Sequence, residues 1–466
     1  MTTVAVVDYG LGNLQSVAHA FETLQTDVVV TDRPSDLEKA DRIVLPGVGA
    51  FAQGMQNLER RNLIGPLEEQ VLKKKKPFLG ICLGMQLLAQ EGHEHGRHAG
   101  LGWVSGRVEP LAQNRSTVKS IHIGWNEAVP QRSSALFAGL GKTPNFYFVH
   151  GYHMVCAEDA SVSAVSHYGR SFTSAIQRGN ICGVQFHPEK SQEVGLGLLK
   201  NFLRWDPRTE KTAQETETGA VGKPSPKIRL IPTLLLKNGR LTKTVRFQTV
   251  SEGIRRDVGD PIKAPVVYDA QLPDELIYLD IRASLEGRGI DQLLETIGRI
   301  SGQIFMPLTV GGGIQNVEQI RRLLQAGADK VAINSEAVSR PDVIGEAARI
   351  FGSQCVVVSI DARRRGSGYE VFTHSGTRAA GLEPAAWAKT AEQAGAGEIL
   401  LTSIDRDGTM EGYDLELIRR VSDGVKIPVI ASGGCGSLQD LVDAVEKAHA
   451  SAVAAASIVL PHPGGP

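Results

Sequence analysis

Eight short apolar runs, each followed by a helical pattern, fill the second half of the chain and constrain its fold more than any other feature. Strands that alternate with helices pair in parallel, and eight such units close into a (βα)8 barrel. The predicted barrel covers residues 228–466, and its last helix is expected to be missing because residues 461–466 are too few and too rich in proline. The predicted strands are Arg229–Leu236, Glu275–Ile281, Phe305–Gly311, Lys330–Asn334, Cys355–Asp361, Glu398–Ser403, Ile427–Gly433 and Ala452–Ala456.

A short motif occurs twice within the predicted barrel. Gly311-Gly312 is followed by Asn334-Ser335, and Gly433-Gly434 is followed at the same spacing by Ala456-Ser457. Each copy places a glycine-rich turn beside a small residue that ends the next strand, where backbone N–H groups can hold a phosphate. A tight turn is the alternative for one copy alone, but the duplication predicts a ligand with two phosphates. The candidate phosphate-binding residues are Gly312, Gly313, Asn334, Ser335, Gly433, Gly434, Ala456 and Ser457.

The length and local composition predict two domains. A chain of 466 residues exceeds the usual limit for one hydrophobic core. Between residues 206 and 227, Thr, Glu, Lys, Gly and Pro dominate and large apolar residues almost vanish, which is typical of a flexible linker. The predicted organisation is therefore a first domain over residues 1–205, a linker over 206–227 and the barrel over 228–466.

Charge and cysteine usage exclude several classes of protein. The chain has 50 basic and 51 acidic residues, so its charge gives no reason to expect nucleic acid or a membrane surface as partner. Its start resembles a buried strand rather than a signal peptide, no apolar run reaches membrane-spanning length, and the five cysteines lack paired spacing. We therefore expect a cytoplasmic protein. His93, His95 and His98 lie in a polar stretch broken by glycine, which favours an exposed loop, and no metal site is predicted there.

Cys82 lies between two glycines, in Gly80-Ile81-Cys82-Leu83-Gly84, directly after an apolar run. A strand that turns sharply into a helix needs small flanking residues so that the backbone can bend and a substrate carbonyl can approach. His187 and Glu189 are two residues apart, so on an extended segment they share one face and the carboxylate can orient the imidazole. The pattern predicts a cysteine nucleophile with its base and orienting group. For Cys82 alone, a buried structural thiol is the alternative.

A second loop in the first half has the composition of an anion-binding turn. Pro46-Gly47-Val48-Gly49 can offer the N–H groups of Gly47, Val48 and Gly49 to an oxyanion. The N–H of Leu83, which begins the helix after Cys82, can complete such a pocket.

Residues 1–205 resemble the triad-type glutamine amidotransferases, because the cysteine is followed by Met85-Gln86 and the histidine is preceded by Tyr147-Phe148-Val149-His150. The resemblance is greatest to the glutaminase of imidazole glycerol phosphate synthase. The resemblance implies a flavodoxin-like class I amidotransferase domain. In this family the cysteine attacks the side-chain amide of glutamine, ammonia leaves, and water hydrolyses the thioester to glutamate. L-Glutamine is then the expected partner. The resemblance extends its binding site to Gln86, His150, Gly151 and Tyr152.

The barrel resembles the cyclase of the same synthase family over nearly its whole length. The matching segments include Val357–Asp361, Phe372–Gly376 and Ser403–Thr409. That family uses ammonia, without a cofactor, to close an imidazole ring on a bisphosphate ribonucleotide. It employs two aspartates as general acid and base, on the first and fifth strands. Asp361 occupies the fifth-strand position.

The first strand departs from the family pattern. Alignment of residues 231–239 with the family motif and with the fifth strand places Leu235 where the partner aspartate belongs. A leucine cannot transfer a proton, and such groups typically contribute about 10²-fold to 10⁴-fold to a rate. Asp407 at the end of the sixth strand is a possible second carboxylate at a different position. The segment Pro232-Thr233-Leu234-Leu235 resembles instead cyclase paralogues found with surface-polysaccharide genes, which are thought to supply ammonia to a separate enzyme that aminates a sugar.

Four charged residues match the family's ring at the opposite end of the barrel, where ammonia enters from the glutaminase. Each one alone is as easily explained by a stabilising ion pair. Two functions stay open: a synthase that closes the ring itself on a phosphorylated acceptor, and a glutaminase whose barrel delivers ammonia to a separate sugar amidotransferase. The four residues of this predicted ammonia gate are Arg229, Glu275, Lys330 and Glu398.

Overall fold

The computed structural model describes residues 2–111, 118–208, 227–249 and 259–456. These residues divide into two compact units, the first within residues 1–227 together with 349–352, and the second within 228–348 and 353–466. Most of the predicted linker and the predicted loss of the last barrel helix fall outside the described residues.

An eight-stranded sheet forms the centre of the first unit. Its first five strands are parallel and its last three antiparallel. The four inner parallel strands are fully or largely buried, as expected for strands that helices cover on both faces, whereas the edge strand Asp27–Thr31 is partly exposed. In spatial order the strands are Asp27–Thr31, Thr3–Val7, Arg42–Leu45, Phe78–Ile81, Ile181–Val184, Arg170–Arg178, Val162–Tyr168 and Val129–Pro130.

Helices and two smaller sheets complete this unit. The smaller sheets pair His122–Glu127 with Asn145–His150, and Tyr152–Cys156 with Gly106–Pro110, Glu91–Gly92 and His98–Ala99. The α-helices are Leu14–Thr23, Pro34–Lys39, Phe51–Arg60, Ile64–Glu68, Leu83–Gln86 and Gln192–Arg204. A π-helical turn covers Glu69–Lys73, and 3-10 turns cover Ala135–Phe137, Asp159–Ser161 and Pro188–Lys190.

The second unit is a closed barrel of eight parallel strands, so the predicted fold class is confirmed. Each strand pairs with the next, and the eighth pairs with the first. The strands are Arg229–Lys237, Leu276–Asp280, Leu308–Gly311, Lys330–Ile333, Val356–Arg365, Glu398–Ser403, Val429–Ser432 and Ala452–Ala455. The fifth strand is longer than its apolar run because it continues into a hairpin with Gly368–Thr373.

Helices follow the strands, and short strands extend the loops at their carboxyl ends. Small and branched apolar side chains pack in the barrel interior, among them Ile231, Val357 and Ile430. The helices are Lys263–Asp269, Ala283–Glu286, Asp291–Ser301, Val317–Gln325, Ser335–Ser339, Asp342–Phe351, Pro384–Ala394, Leu415–Gly424 and Leu438–Glu446, with a 3-10 turn at Ser353–Cys355. The short strands are Arg240–Thr242, Thr244–Val245, Gln248–Thr249 and Arg378–Ala379.

Candidate active sites

Cys82 has a strained backbone at the sharp turn that its flanking glycines predict. It follows the strand Phe78–Ile81, precedes the helix Leu83–Gln86, and has φ 51° and ψ −108°. A Cβ on Gly84 would overlap a backbone carbonyl of the neighbouring strand, and one on Gly80 would lie 2.7 Å from the Gly84 carbonyl oxygen. Such a conformation costs about 1–3 kcal/mol for a residue with a side chain and persists only where the surrounding structure enforces it.

A tight turn places Glu189 against the ring of His187. The backbone is extended at His187, and Pro188–Lys190 then form a 3-10 turn. His187 Nδ1 and Glu189 Oε1 are 2.7 Å apart. The pairing therefore arises from this turn and not, as the spacing predicts, from an extended segment.

The charges around His187 favour its protonated form. Burial by itself lowers the pKa of His187, but the carboxylate of Glu189 and the Cys82 sulfur outweigh it and hold the pKa well above its ordinary value. Nδ1 contacts Glu189 Oε1, and the ring also interacts with the Cys82 sulfur. An imidazolium next to a sulfur stabilises the thiolate, which is the nucleophilic form of cysteine.

The glycine loop contacts the start of the helix after Cys82. The N–H of Leu83 donates to the carbonyl oxygen of Gly47 at 3.2 Å. Gly47 is also closely packed, because a Cβ there would overlap the hydroxyl of Tyr9 and lie 3.0 Å from Leu83 Cβ. Gly49 has a φ of 154°, which suits glycine. In this conformation Leu83 N–H is not free, so the predicted oxyanion pocket requires rotation of the peptide between Gly47 and Val48.

Two amide side chains connect the thiol to the strand that begins at Tyr152. Gln86 Nε2 donates to the Tyr152 carbonyl and to Gln185 Oε1, both at 3.0 Å. Gln185 Nε2 lies 3.6 Å from Cys82 Sγ. Gln185 is not among the residues predicted from the sequence, although its position directly after the apolar run Ile181–Val184 and two residues before His187 is a signal that it lies near the site.

The ring nitrogens of His150 and the carbonyl of Gly151 have hydrogen-bond partners within the protein. His150 Nδ1 lies 2.7 Å from the Tyr152 carbonyl oxygen, and its Nε2 lies 3.1 Å from His122 Nδ1. Burial lowers the pKa of His150 to about 3, so the ring is neutral. The Gly151 carbonyl accepts from Leu111 N–H at 2.8 Å. Both nitrogens of His150 have protein partners in this conformation, and its contact with glutamine stays a prediction.

One cavity at the carboxyl ends of the barrel strands brings the two predicted phosphate loops together. Gly312 has φ 114° and Gly433 has φ 88°, conformations that favour glycine. Ser335 Oγ accepts from the N–H of His374 at 3.0 Å. Ser457 lies outside the described residues. The other candidates all line the cavity: Gly312, Gly313, Asn334, Ser335, Gly433, Gly434 and Ala456.

Three aspartates line this cavity: Asp280, which accepts from the N–H groups of Arg282 and Ala283, and Asp361 and Asp407. Asp361 Oδ2 accepts from Asn334 Nδ2 at 2.7 Å, and Asp407 Oδ2 accepts from Thr244 Oγ1 at 2.6 Å and from the N–H of Phe247 at 3.2 Å. Burial, and then the charge of Asp407, raise the pKa of Asp361 to about 7, although the bond from Asn334 opposes the shift. Burial also raises the pKa of Asp407. Near neutral pH Asp361 can therefore accept or release a proton.

Leu235 lines the same cavity as Asp361. It lies on the first barrel strand, in register with Leu279 of the second strand and with Thr242 of the adjoining hairpin. The position at which the sequence comparison expects a carboxylate therefore presents an isobutyl group to the cavity.

Replacing Asp361 by asparagine is expected to stabilise the fold at pH 8 and to have little effect at pH 4. The pKa of Asp361 is about 7 in the folded chain against an ordinary value of 3.8, so stability is lost as pH rises through this interval. The difference sets an upper limit of about 4 kcal/mol at pH 8. Thermal unfolding of wild type and Asp361→Asn from pH 4 to pH 8 measures it. Parallel curves for the two proteins would contradict the assigned environment.

Four buried charges close a ring at the amino ends of the barrel strands. Arg229 Nη1 lies 2.7 Å from Glu275 Oε1, and Arg229 Nη2 contacts Glu398 Oε1. Lys330 Nζ lies 2.8 Å from Glu275 Oε2 and 2.7 Å from Glu398 Oε2. All four side chains are at most 1% exposed. Removing one partner of such a network leaves an uncompensated buried charge, which typically costs about 3–5 kcal/mol.

The histidine-rich stretch has ordinary surface contacts. His93 Nε2 lies 2.8 Å from Glu91 Oε1. Among the described residues, no three His, Cys, Asp or Glu side chains are grouped so that they could hold a metal ion. No helix in the same residues is both long and apolar enough to cross a membrane.

Comparisons with known proteins agree with both units. Residues 5–205 match the model of the class-I glutamine amidotransferases, and residues 229–463 match the model of the histidine biosynthesis proteins. The chain is 33% identical to the chloroplastic imidazole glycerol phosphate synthase hisHF of Arabidopsis thaliana over 513 aligned positions. That alignment covers 98% of this chain and 86% of the relative. The chain therefore belongs to the family of imidazole glycerol phosphate synthases in which a class-I glutamine amidotransferase is fused to a histidine-biosynthesis barrel.

Proposed function

We propose that the first unit hydrolyses L-glutamine to glutamate and ammonia. The observation that carries this proposal is the strained Cys82 beside a buried His187–Glu189 pair. The Cys82 thiolate attacks the side-chain amide carbon, and protonated His187 gives its proton to the departing ammonia. Neutral His187 then takes a proton from water as the water attacks the thioester, which releases glutamate and restores the thiolate.

Rotation of the peptide between Gly47 and Val48 completes the proposed site. The rotation frees Leu83 N–H and turns Val48 N–H toward the substrate, so that two donors face the developing oxyanion. In the described conformation the Gly47 carbonyl accepts the Leu83 bond, which predicts a slow reaction in the resting protein.

The proposed route of ammonia runs through the barrel from the ring of Arg229, Glu275, Lys330 and Glu398 to the cavity at the other end. Neutral ammonia is small and can pass where charged side chains part briefly, whereas a solvated ion cannot. At the cavity the duplicated glycine turns suit an acceptor with two phosphates, and Asp361 is the proton-transfer group.

Two acceptors are compatible with this site. The phosphate loops and Asp361 favour ring closure on the bisphosphate of histidine biosynthesis. Leu235 in the cavity favours the second function, in which the barrel delivers ammonia to a separate sugar amidotransferase of surface-polysaccharide biosynthesis. Formation of imidazole glycerol phosphate by the purified chain, given the bisphosphate and ammonium salt, distinguishes the two.

Channelling is tested by the origin of the nitrogen in the product. Amide-labelled ¹⁵N-glutamine and unlabelled ammonium are supplied together with the bisphosphate, using wild type or, if its turnover is too slow, Leu235→Asp. We expect the product to be enriched in ¹⁵N relative to the ammonia free in solution, as measured by mass spectrometry. Equal enrichment in product and solution would exclude a protected route.

A further inference from the structure

The hydroxyl of Tyr9 lacks a hydrogen bond within the described residues. Its side chain is fully buried, at 0% exposure, and its oxygen has no hydrogen-bond partner among the described residues. A buried hydroxyl without a partner typically costs about 1–3 kcal/mol. Such a cost in the resting structure is explained if the hydroxyl finds its partner in another state of the same site.

The hydroxyl lies against the part of the oxyanion loop that has to move. An added Cβ on Gly47 would overlap the Tyr9 oxygen, so this oxygen contacts Gly47 on the side where a side chain would project. An added Cβ on Gly12 would lie 3.2 Å from the Gly47 Cα, which shows that another backbone segment closes a further side. The Gly47 carbonyl therefore has few directions open to it once it leaves Leu83.

Rotation of the Gly47–Val48 peptide would leave the Gly47 carbonyl without a hydrogen-bond donor, and the Tyr9 hydroxyl can supply one. In the described state the Gly47 carbonyl accepts from Leu83 N–H. When that N–H turns to the substrate oxyanion, the carbonyl loses its donor in a water-poor interior. Burial, and the nearby Cys82 sulfur, hold the pKa of Tyr9 far above its ordinary value, so the hydroxyl keeps its proton.

We propose that Tyr9 is a positioning residue whose hydroxyl donates to the Gly47 carbonyl after this carbonyl has rotated away from Leu83. The bond stabilises the state with an open oxyanion pocket, and its absence in the resting state explains the unsatisfied oxygen. Tyr9 acts through the backbone of Gly47 and not on glutamine. The inference rests on the proposed glutaminase activity.

The test compares wild type with Tyr9→Phe in the full-length chain. Loss of the hydroxyl is expected to lower kcat for glutamate release by about 10-fold to 10²-fold with little change in KM, because fewer molecules reach the open state. The same substitution removes an unsatisfied buried group, so the thermal midpoint is expected to stay constant or rise. A purely structural tyrosine would give unchanged kcat, or a fall in kcat together with a lower midpoint, and either result would overturn the inference.

A second measurement separates an effect on the loop from an effect on the thiol. Alkylation of Cys82 by iodoacetamide needs the thiolate but no oxyanion pocket, so its rate and pH profile are expected to be the same in wild type and Tyr9→Phe. A shifted profile would mean that the hydroxyl acts on the sulfur, and the proposed role would be wrong. If wild type releases glutamate and Tyr9→Phe does so equally fast, only this inference fails. If wild type releases none, the proposed function fails and this role fails with it.

Discussion

Replacing Cys82 by alanine is expected to abolish glutamate release from glutamine. In the proposed mechanism the Cys82 sulfur at the end of the strand Phe78–Ile81 forms the thioester, and it is the nucleophile that the His187–Glu189 pair activates. Removing one member of such a unit typically costs at least about 10³-fold in rate. An enzyme-coupled glutamate assay on purified wild type and Cys82→Ala measures the change.

Cys182→Ala is the matched control for this experiment. Cys182 is also fully buried and lies on the neighbouring strand, in register with Leu79, but it is not at the turn. We expect this variant to keep most of the activity, since it removes a sulfur of the same kind from the same sheet. Substantial glutamate release by a folded Cys82→Ala protein would exclude the assigned nucleophile.

Replacing Leu235 by aspartate is expected to increase ammonia-dependent ring closure by about 10²-fold to 10⁴-fold, starting from very weak wild-type turnover. The side chain lines the cavity that holds Asp361 and both predicted phosphate loops. One carboxyl group has difficulty in serving both proton transfers of a cyclisation. The other two carboxylates of the cavity are already engaged, Asp407 by Thr244 and Phe247 and Asp280 by Arg288 and backbone N–H groups. Turnover is compared at saturating ammonium and a fixed concentration of the bisphosphate.

Leu235→Asn separates proton transfer from the effects of shape and polarity. Asparagine has nearly the size of aspartate but cannot act as an acid or base, so it is expected to stay as slow as wild type. Two results would contradict the proposal that Leu235 replaces a missing proton-transfer group. They are brisk wild-type turnover, and no gain in a Leu235→Asp protein with a normal unfolding transition. Equal gains for aspartate and asparagine would show that polarity, and not proton transfer, limits the site.

The barrel was predictable because its signal is local and repeated. Apolar runs of strand length alternate with helical patterns, and a sheet buried on both faces admits few alternatives. Glu398–Ser403 agrees with the prediction at both ends, and the other strands differ from it only near their ends. The fifth strand differs most at its carboxyl end, because its extension depends on pairing with Gly368–Thr373, a contact that no property of either segment alone specifies.

Local sequence patterns suffice to predict the residues proposed to carry chemistry: Cys82 between its glycines, the His187-Pro188-Glu189 triplet, the duplicated glycine motif, and Leu235 in place of a carboxylate. The hydrogen-bond partners and protonation of the groups around these residues depend on the tertiary structure. The bond from Leu83 N–H to Gly47, the unsatisfied hydroxyl of Tyr9 and the neutral ring of His150 all depend on atoms from distant segments. The physical reason is that motif spacing reflects backbone geometry over a few residues, whereas burial and hydrogen-bond partners are set by packing between elements far apart in the chain.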